Sequence, residues 1–223
     1  WFSSAMLFLY AVTFSYAYLT LDTGTGALIL FGSVQITMIV LSLLSGNRLH
    51  ITEWLGVSAA FLGFVYLVMP GVSAPSIVGF VLMTVAGIAW GVYTLRGRGS
   101  ADPLADTAYN FLRTIPIVAV LVAATLFSAR YSVEGMVWAV LSGALASGVG
   151  YTIWYTALGG LSATQAAVVQ LSVPVIAAFG GVLFVSEAIT LRLVVAGVLI
   201  LGGILLVVLG RYYLGQLRSG AKR

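Results

Sequence analysis

Residues 155–184 read YTALGGLSATQAAVVQLSVPVIAAFGGVLF, and residues 16–45 read YAYLTLDTGTGALILFGSVQITMIVLSLLS. At an offset of 139 positions the two stretches align without a gap, and the register holds as far as Gly71 and Gly210. Tyr16/Tyr155, Leu19/Leu158, Thr25/Thr164, Ala27/Ala166, Ser33/Ser172, Val34/Val173, Leu44/Leu183, Gly63/Gly202 and Gly71/Gly210 are identical pairs. Both stretches are rich in Leu, Val, Ala and Gly, so the unbroken length carries more weight than the identities. A self-similarity of this kind is the mark of one structural unit built twice.

Composition sets the solvent. Of 223 residues, 61% are hydrophobic and only 7% charged, with a mean hydropathy of +1.11; soluble domains carry roughly a quarter charged residues. The fold class is therefore an all-α polytopic membrane helix bundle. Cysteine is absent, which excludes a disulfide framework, thiolate chemistry and a thiol metal site. The apolar run that starts at Trp1 lacks the basic start and small-residue cleavage site of a signal peptide, so the chain reads as a piece of a longer protein.

A spanning helix needs about 20 mostly apolar residues, and cutting the chain at its polar and Gly/Pro-rich breaks gives eight: Trp1 to Leu21, Gly24 to Ser45, Thr52 to Met69, Ser76 to Leu95, Ala105 to Ser128, Gly135 to Leu158, Ser162 to Val185 and Leu191 to Tyr213. With the C-terminus placed in the cytoplasm, Arg48, Arg96, Arg98, Arg113, Arg211, Arg218, Lys222 and Arg223 fall on or near the cytoplasmic side. Only Arg130 and Arg192 fall outside, as the positive-inside rule asks. The expected location is the cytoplasmic (inner) membrane. The net charge of +4 then reports topology and contact with the lipid bilayer, and it calls for no nucleic-acid partner.

Each matching stretch contains three spans, and the offset between them contains five, an odd number that inverts the second copy in the membrane. Inverted repeats suit alternating access, in which one half rocks against the other around a midplane site. Residues 1–71 are then the remainder of a first repeat, 76–213 a second repeat of five spans, and 214–223 a basic cytoplasmic tail. Partners for the spans in 76–128 would lie about 10 to 65 residues before Trp1, which predicts two further spans there and a five-plus-five arrangement of ten.

The run GGLSATQAAVVQLSVP at 159–174, continuing to Ser186 and Glu187, and the Gly-rich last span from Gly197 to Gly203 resemble the drug/metabolite transporter superfamily in its EamA-like branch. GIAWGVY at 87–93 and NFLR at 110–113 look like the same branch. The resemblance covers nearly the whole chain and rests on the order and spacing of these runs rather than on any one of them. It implies a transporter of small organic metabolites. One departure is Gln35, which stands where the later copy has Pro174; members of the branch often carry Pro in both.

Pro174, in the middle of the seventh span, removes a backbone donor and frees the carbonyl of Gln170, which makes it a candidate hinge or a static kink satisfied by neighbouring helices. Gln35 and Gln170 are amides at membrane depth, costly unless they face protein or water; substrate contact and an interhelical hydrogen bond are both open to them. Gln165 stands too near its helix start for that role. Tyr10, Trp90, Tyr151 and Trp154 are expected to line a cavity suited to amphipathic metabolites, while Tyr18 and Tyr155, near span ends, read as interface-belt residues. Asn110 and Arg113 share a helix face and form a candidate cytoplasmic mouth, with a positive-inside anchor as the other reading of Arg113. Glu187 closes the seventh span as an outer gate, a helix cap or a partner of Arg192.

No carboxylate lies in the middle of a span, and His50, the single histidine, is in a loop. Proton-coupled pumps keep such a group inside the membrane, so coupling either resides in the expected additional spans or is absent. The same inventory argues against an intramembrane enzyme, which needs a catalytic set at membrane depth, and no cofactor or metal is implied. The leading expectation is a secondary transporter, an exporter of small molecules such as amino acids or related compounds, with drugs also open. A non-transporting scaffold is the alternative, and it predicts no solute-sized cavity between the repeats. A homo-oligomer is compatible with either reading.

Overall fold

The computed structural model describes residues 1–69, 75–127, 132–185 and 188–220. The helices are α1 (Phe2–Ala17), α2 (Thr23–Leu44), α3 (Ile51–Val68), α4 (Ile77–Gly97), α5 (Pro103–Thr125), α6 (Val133–Val140), α7 (Gly150–Leu158), α8 (Ala163–Val169), α9 (Ser172–Val185) and α10 (Leu191–Gly220), with a π-helical stretch, Leu141–Val149, joining α6 to α7. No strand occurs among the described residues. The chain is a polytopic helical membrane bundle: seven continuous helical segments are long and apolar enough to span a bilayer, and α1, at 16 residues, is shorter.

Helix starts follow from side chains that satisfy otherwise orphaned backbone N–H groups. Ser76 accepts from Gly79 N at 3.1 Å, Asp102 from Ala105 N at 3.0 Å and Ser132 from Gly135 N at 3.0 Å. Ser162 and Gln165 form a reciprocal capping box at 3.2 and 2.9 Å, which accounts for Gln165 as a structural residue. His50 and Glu53 cap α3 in the same way. Gly46 and Gly99 close the turns after α2 and α4 with φ of +82° and +87°, a backbone region that favours glycine.

Close backbone approach at glycines sets the packing. The most extensive helix pair is α3 with α10. A Cβ on Gly56 would stand 2.6 Å from the Gly203 carbonyl oxygen, and one on Gly203 would stand 2.5 Å from the Gly56 oxygen. The α2–α4 pair uses Gly87, whose Cβ would meet Ser33 at 2.5 Å, and Gly91, packed on Thr37. In lipid such small-residue faces matter because the surroundings offer no hydrophobic drive to associate. Two buried clusters result. One, centred on Val34, Met38, Met83, Tyr93 and Leu158, joins α1, α2, α4 and α7; the other, with Phe64, Leu171 and Ile200, joins α3, α10 and the α8–α9 junction.

By contrast, α5 and the sixth span turn nearly all their apolar side chains outward, with Val120 70% and Trp138 63% exposed. In water such a surface would be a large apolar patch. In the sixth span the four-residue spacings Gly143/Ser147 and Ala144/Gly148, which on a helix would suit a close-packing face, do not make one. Gly143 has open space around it and Gly148 meets only the carbonyl oxygen of Gly143, because the π-helical stretch borders a cavity there.

Candidate functional site

Trp90 is the centre of an aromatic group drawn from four helices. Its ring lies 4.9 Å from Tyr10 of α1, 4.9 Å from Tyr151 of α7 and 5.8 Å from Tyr93 of α4. Three-residue spacing on α4 puts Trp90 and Tyr93 on one face, and four-residue spacing on α7 does the same for Tyr151 and Tyr155. Phe111 of α5 completes the wall, 6.0 Å from Tyr151. Such tilted pairs suit the ring quadrupoles and contribute about 0.5–1.5 kcal/mol each beyond burial.

A polar handle joins this wall at the break in the seventh span. The Trp90 indole N–H donates to Gln170 Oε1 at 2.5 Å, and Gln170 Nε2 reaches Met38 Sδ at 3.2 Å and the Ala166 carbonyl at 3.4 Å. The break has a local cause. Pro174 has no N–H to give the Gln170 carbonyl, and that carbonyl accepts from Val173 N at 3.1 Å instead. The carbonyl expected to be free is therefore occupied, while α8 ends at Val169 and α9 restarts at Ser172.

Tyr10, Trp90, Tyr151 and Gln170 thus come together. Gln35 is buried on α2, one turn from Met38, and joins none of the hydrogen bonds or ring contacts of the group; its Nε2 has no partner among the described residues. Trp154 packs against the same core with its indole nitrogen buried and likewise unpartnered. Glu187 lies outside the described residues. Tyr155 is not an interface-belt residue: it is 4% exposed, and its hydroxyl donates to the Tyr93 carbonyl at 3.3 Å. It is admitted by Gly97, where a Cβ would overlap the Tyr155 ring, and its four-residue spacing from Tyr151 is the signal that could have found it. Tyr93, the last residue of the GIAWGVY run, also belongs to the group, and so does Met38, which had not stood out in the sequence.

Two cavities flank these residues. One, of about 270 Å³, is polar and collects Asn110 and Arg113 with Arg96, Asp106 and Thr107 at one end of the bundle. Asp106 accepts from Ser100 Oγ at 2.6 Å, and the two guanidiniums lie over aromatic rings, Arg96 over Phe2 at 4.9 Å and Arg113 over Tyr109 at 5.5 Å. The other, of about 280 Å³, lies between α1, α5 and the π-helical stretch and is open at its surface; Leu7, Phe111, Thr114, Ser142, Ser147 and Tyr151 line it. Its walls are apolar and hydroxyl-bearing, with no charged side chain. A third, larger hollow of about 660 Å³ between α9 and α10 is lined only by aliphatic residues, Phe179 and glycines, and offers a polar solute no side-chain hydrogen bond.

Residues 77–209 match the profile of the EamA-like transporter family. An uncharacterized protein of Pseudomonas aeruginosa is 51% identical over 211 residues, covering 95% of this chain and 74% of its own length. An uncharacterized transporter of Archaeoglobus fulgidus is 28% identical over 92% of this chain and 75% of its own length. The uncharacterized transporter YoaV of Bacillus subtilis is 25% identical over 82% and 65%. A solved crystal structure superimposes with a TM-score of 0.75 at 20% identity, covering 93% of this chain and 74% of that one, which speaks to the fold.

Proposed function

Because the chain belongs to the EamA-like transporter family, in the drug/metabolite transporter superfamily, we propose that it is a secondary transporter that exports small organic metabolites, amino acids or related compounds, across the cytoplasmic membrane. The observation that carries this reading is the junction of Trp90 with Gln170, a polar handle on an aromatic wall whose Tyr151 and Phe111 line a cavity of about 280 Å³. An amphipathic solute stacks its apolar body on Tyr10, Trp90 and Tyr151 and hydrogen-bonds to the amide. Buried indole and amide groups at such a site stay paired with each other while it is empty, which limits the cost of desolvation. Family membership points to transport rather than catalysis.

Alternating access in two inverted halves is part of the same proposal. Its support is the 139-residue register together with the α3–α10 contact, where Gly63 packs against Leu199 and Ile200. The offset makes Leu62–Gly63 and Leu201–Gly202 equivalent, so this contact joins related segments near the place where a two-fold axis would pass. The site then lies where the halves meet, with Pro174 as the hinge and Asn110 and Arg113 at the cytoplasmic mouth.

The test is uptake of labelled amino acids and drugs into liposomes containing the chain, with and without a pH gradient. Accumulation of at least one solute above empty liposomes is the expected result, and none from well-folded protein would turn the reading toward a scaffold. Orientation has its own check. A fluorescent protein fused after Arg223 is expected to fluoresce in cells while alkaline phosphatase at the same place stays inactive; the reverse pattern would refute the cytoplasmic C-terminus.

A further inference from the structure

The charged and the uncharged cavities are stacked along the same three elements. On α1, Phe2 and Ser3 line the charged vestibule and Leu7 the uncharged cavity; on α7, Tyr155 lines the first and Tyr151 the second; on α5 the two interleave, with Asn110 and Arg113 on the first and Phe111 and Thr114 on the second. Between them lies one polar layer. Ser4 Oγ donates to Asn110 Oδ1 at 3.4 Å, and Asn110 Nδ2 donates to Tyr93 Oη at 3.4 Å. Ser4 is 0% and Tyr93 1% exposed, so the layer is shut off from both cavities except at Asn110.

From this stacking we infer that Asn110 is the gate between vestibule and solute cavity and that it selects solutes carrying a hydrogen-bonding head. The inference rests on the transport reading. Both bonds are at the long end for hydrogen bonds, so the layer closes without locking. A solute that parts Ser4 from Tyr93 leaves two buried hydroxyls without their amide, which is unfavourable unless the solute supplies a donor and an acceptor in its place. A hydroxyl or a carboxamide does so, as do an ammonium and a carboxylate together on one amino acid, and a hydrocarbon does not. The arginines of the vestibule meet an anionic head first, and the uncharged cavity beyond receives the apolar body. Asn110 is suited to this by bearing both a donor and an acceptor on one short side chain, which aspartate and leucine do not.

The absence of cysteine makes a direct test clean. Thr114→Cys in the uncharged cavity and Ser100→Cys in the vestibule are reacted, one at a time and in lipid vesicles, with a charged, membrane-impermeant maleimide applied from the vestibule side. With Asn110 present, Thr114→Cys is expected to react slowly; with Asn110→Ala it should react about tenfold faster, the rate equivalent of releasing one hydrogen bond of ordinary net strength. Ser100→Cys should react alike in both. Tyr93→Phe, which removes only the hydroxyl, should also accelerate Thr114→Cys and serves if Asn110→Ala does not fold. Equal reactivity of Thr114→Cys with and without the layer would overturn the gate. Because the readout is labelling and not uptake, failure of the gate and failure of the transport reading are told apart.

Discussion

Alanine in place of Trp90 is expected to abolish solute uptake by the reconstituted chain, and Gln170→Leu to weaken the apparent affinity about ten- to a hundredfold. Trp90 supplies the central ring of the wall, within 4.9 Å of both Tyr10 and Tyr151, and it also donates the hydrogen bond that holds the Gln170 amide. Truncation removes the stacking surface and leaves the amide without its donor. The leucine variant keeps volume but strands the indole N–H, and a buried donor without a partner costs about 1–3 kcal/mol, which converts to the range given. Trp90→Phe separates the two contributions, since it retains a ring and loses the donor; its uptake should resemble that of Gln170→Leu. Initial rates against solute concentration, with thermal unfolding in detergent as a control, decide the matter. A Trp90→Ala chain that folds and transports normally would remove Trp90 from the site.

Gly203→Leu is expected to have the largest effect on folding. Its Cβ would stand 2.5 Å from the Gly56 carbonyl oxygen and 2.7 Å from the Ala60 nitrogen. Both are backbone atoms that no rotamer change can move aside, so α3 and α10 must separate. Overpacking in a well-packed core costs about 1–3 kcal/mol, and occasionally more; here the strain falls on the most extensive helix pair of the bundle. The chain should elute aggregated or melt well below the parent in detergent. Gly202→Leu is the matched control, one residue away and with open space at its Cβ, and it should elute and melt like the parent. Equal stability of the two variants would show that this contact does not hold the helices together.

Legibility in the sequence followed the physics of each element. Spans were readable because apolar length is local, and the break in the seventh span near Pro174 likewise comes from a few consecutive residues. Which helices meet is a property of distant pairs, so the α3–α10 contact and the stranded amide of Gln35 left no trace beyond the 139-residue register. Tyr155 was misread because nearness to a span end suggested an interface; its burial depends on the space left by Gly97, 58 positions away in the chain. The first span was drawn to Leu21, whereas α1 ends at Ala17. Apolar character runs past that end because Leu21 is buried beside Gly79, in the turn rather than in the helix. The π-helical stretch had no signal of its own, since its small residues are equally at home in an α-helix.

That stretch has a consequence for how the chain tolerates change in length. Wide π turns hold more residues than the α-helical path between the same two ends, and they are found most often where a function retains them. Losing one residue from 141–149 would let the segment rewind as ordinary α-helix. Because the α-helical path between those ends needs fewer residues, the face bearing Tyr151 and Tyr155 would keep its aim at Trp90 and at the Tyr93 carbonyl after such a loss. Loops absorb insertions and deletions in most chains; here a stretch inside a spanning helix can do the same.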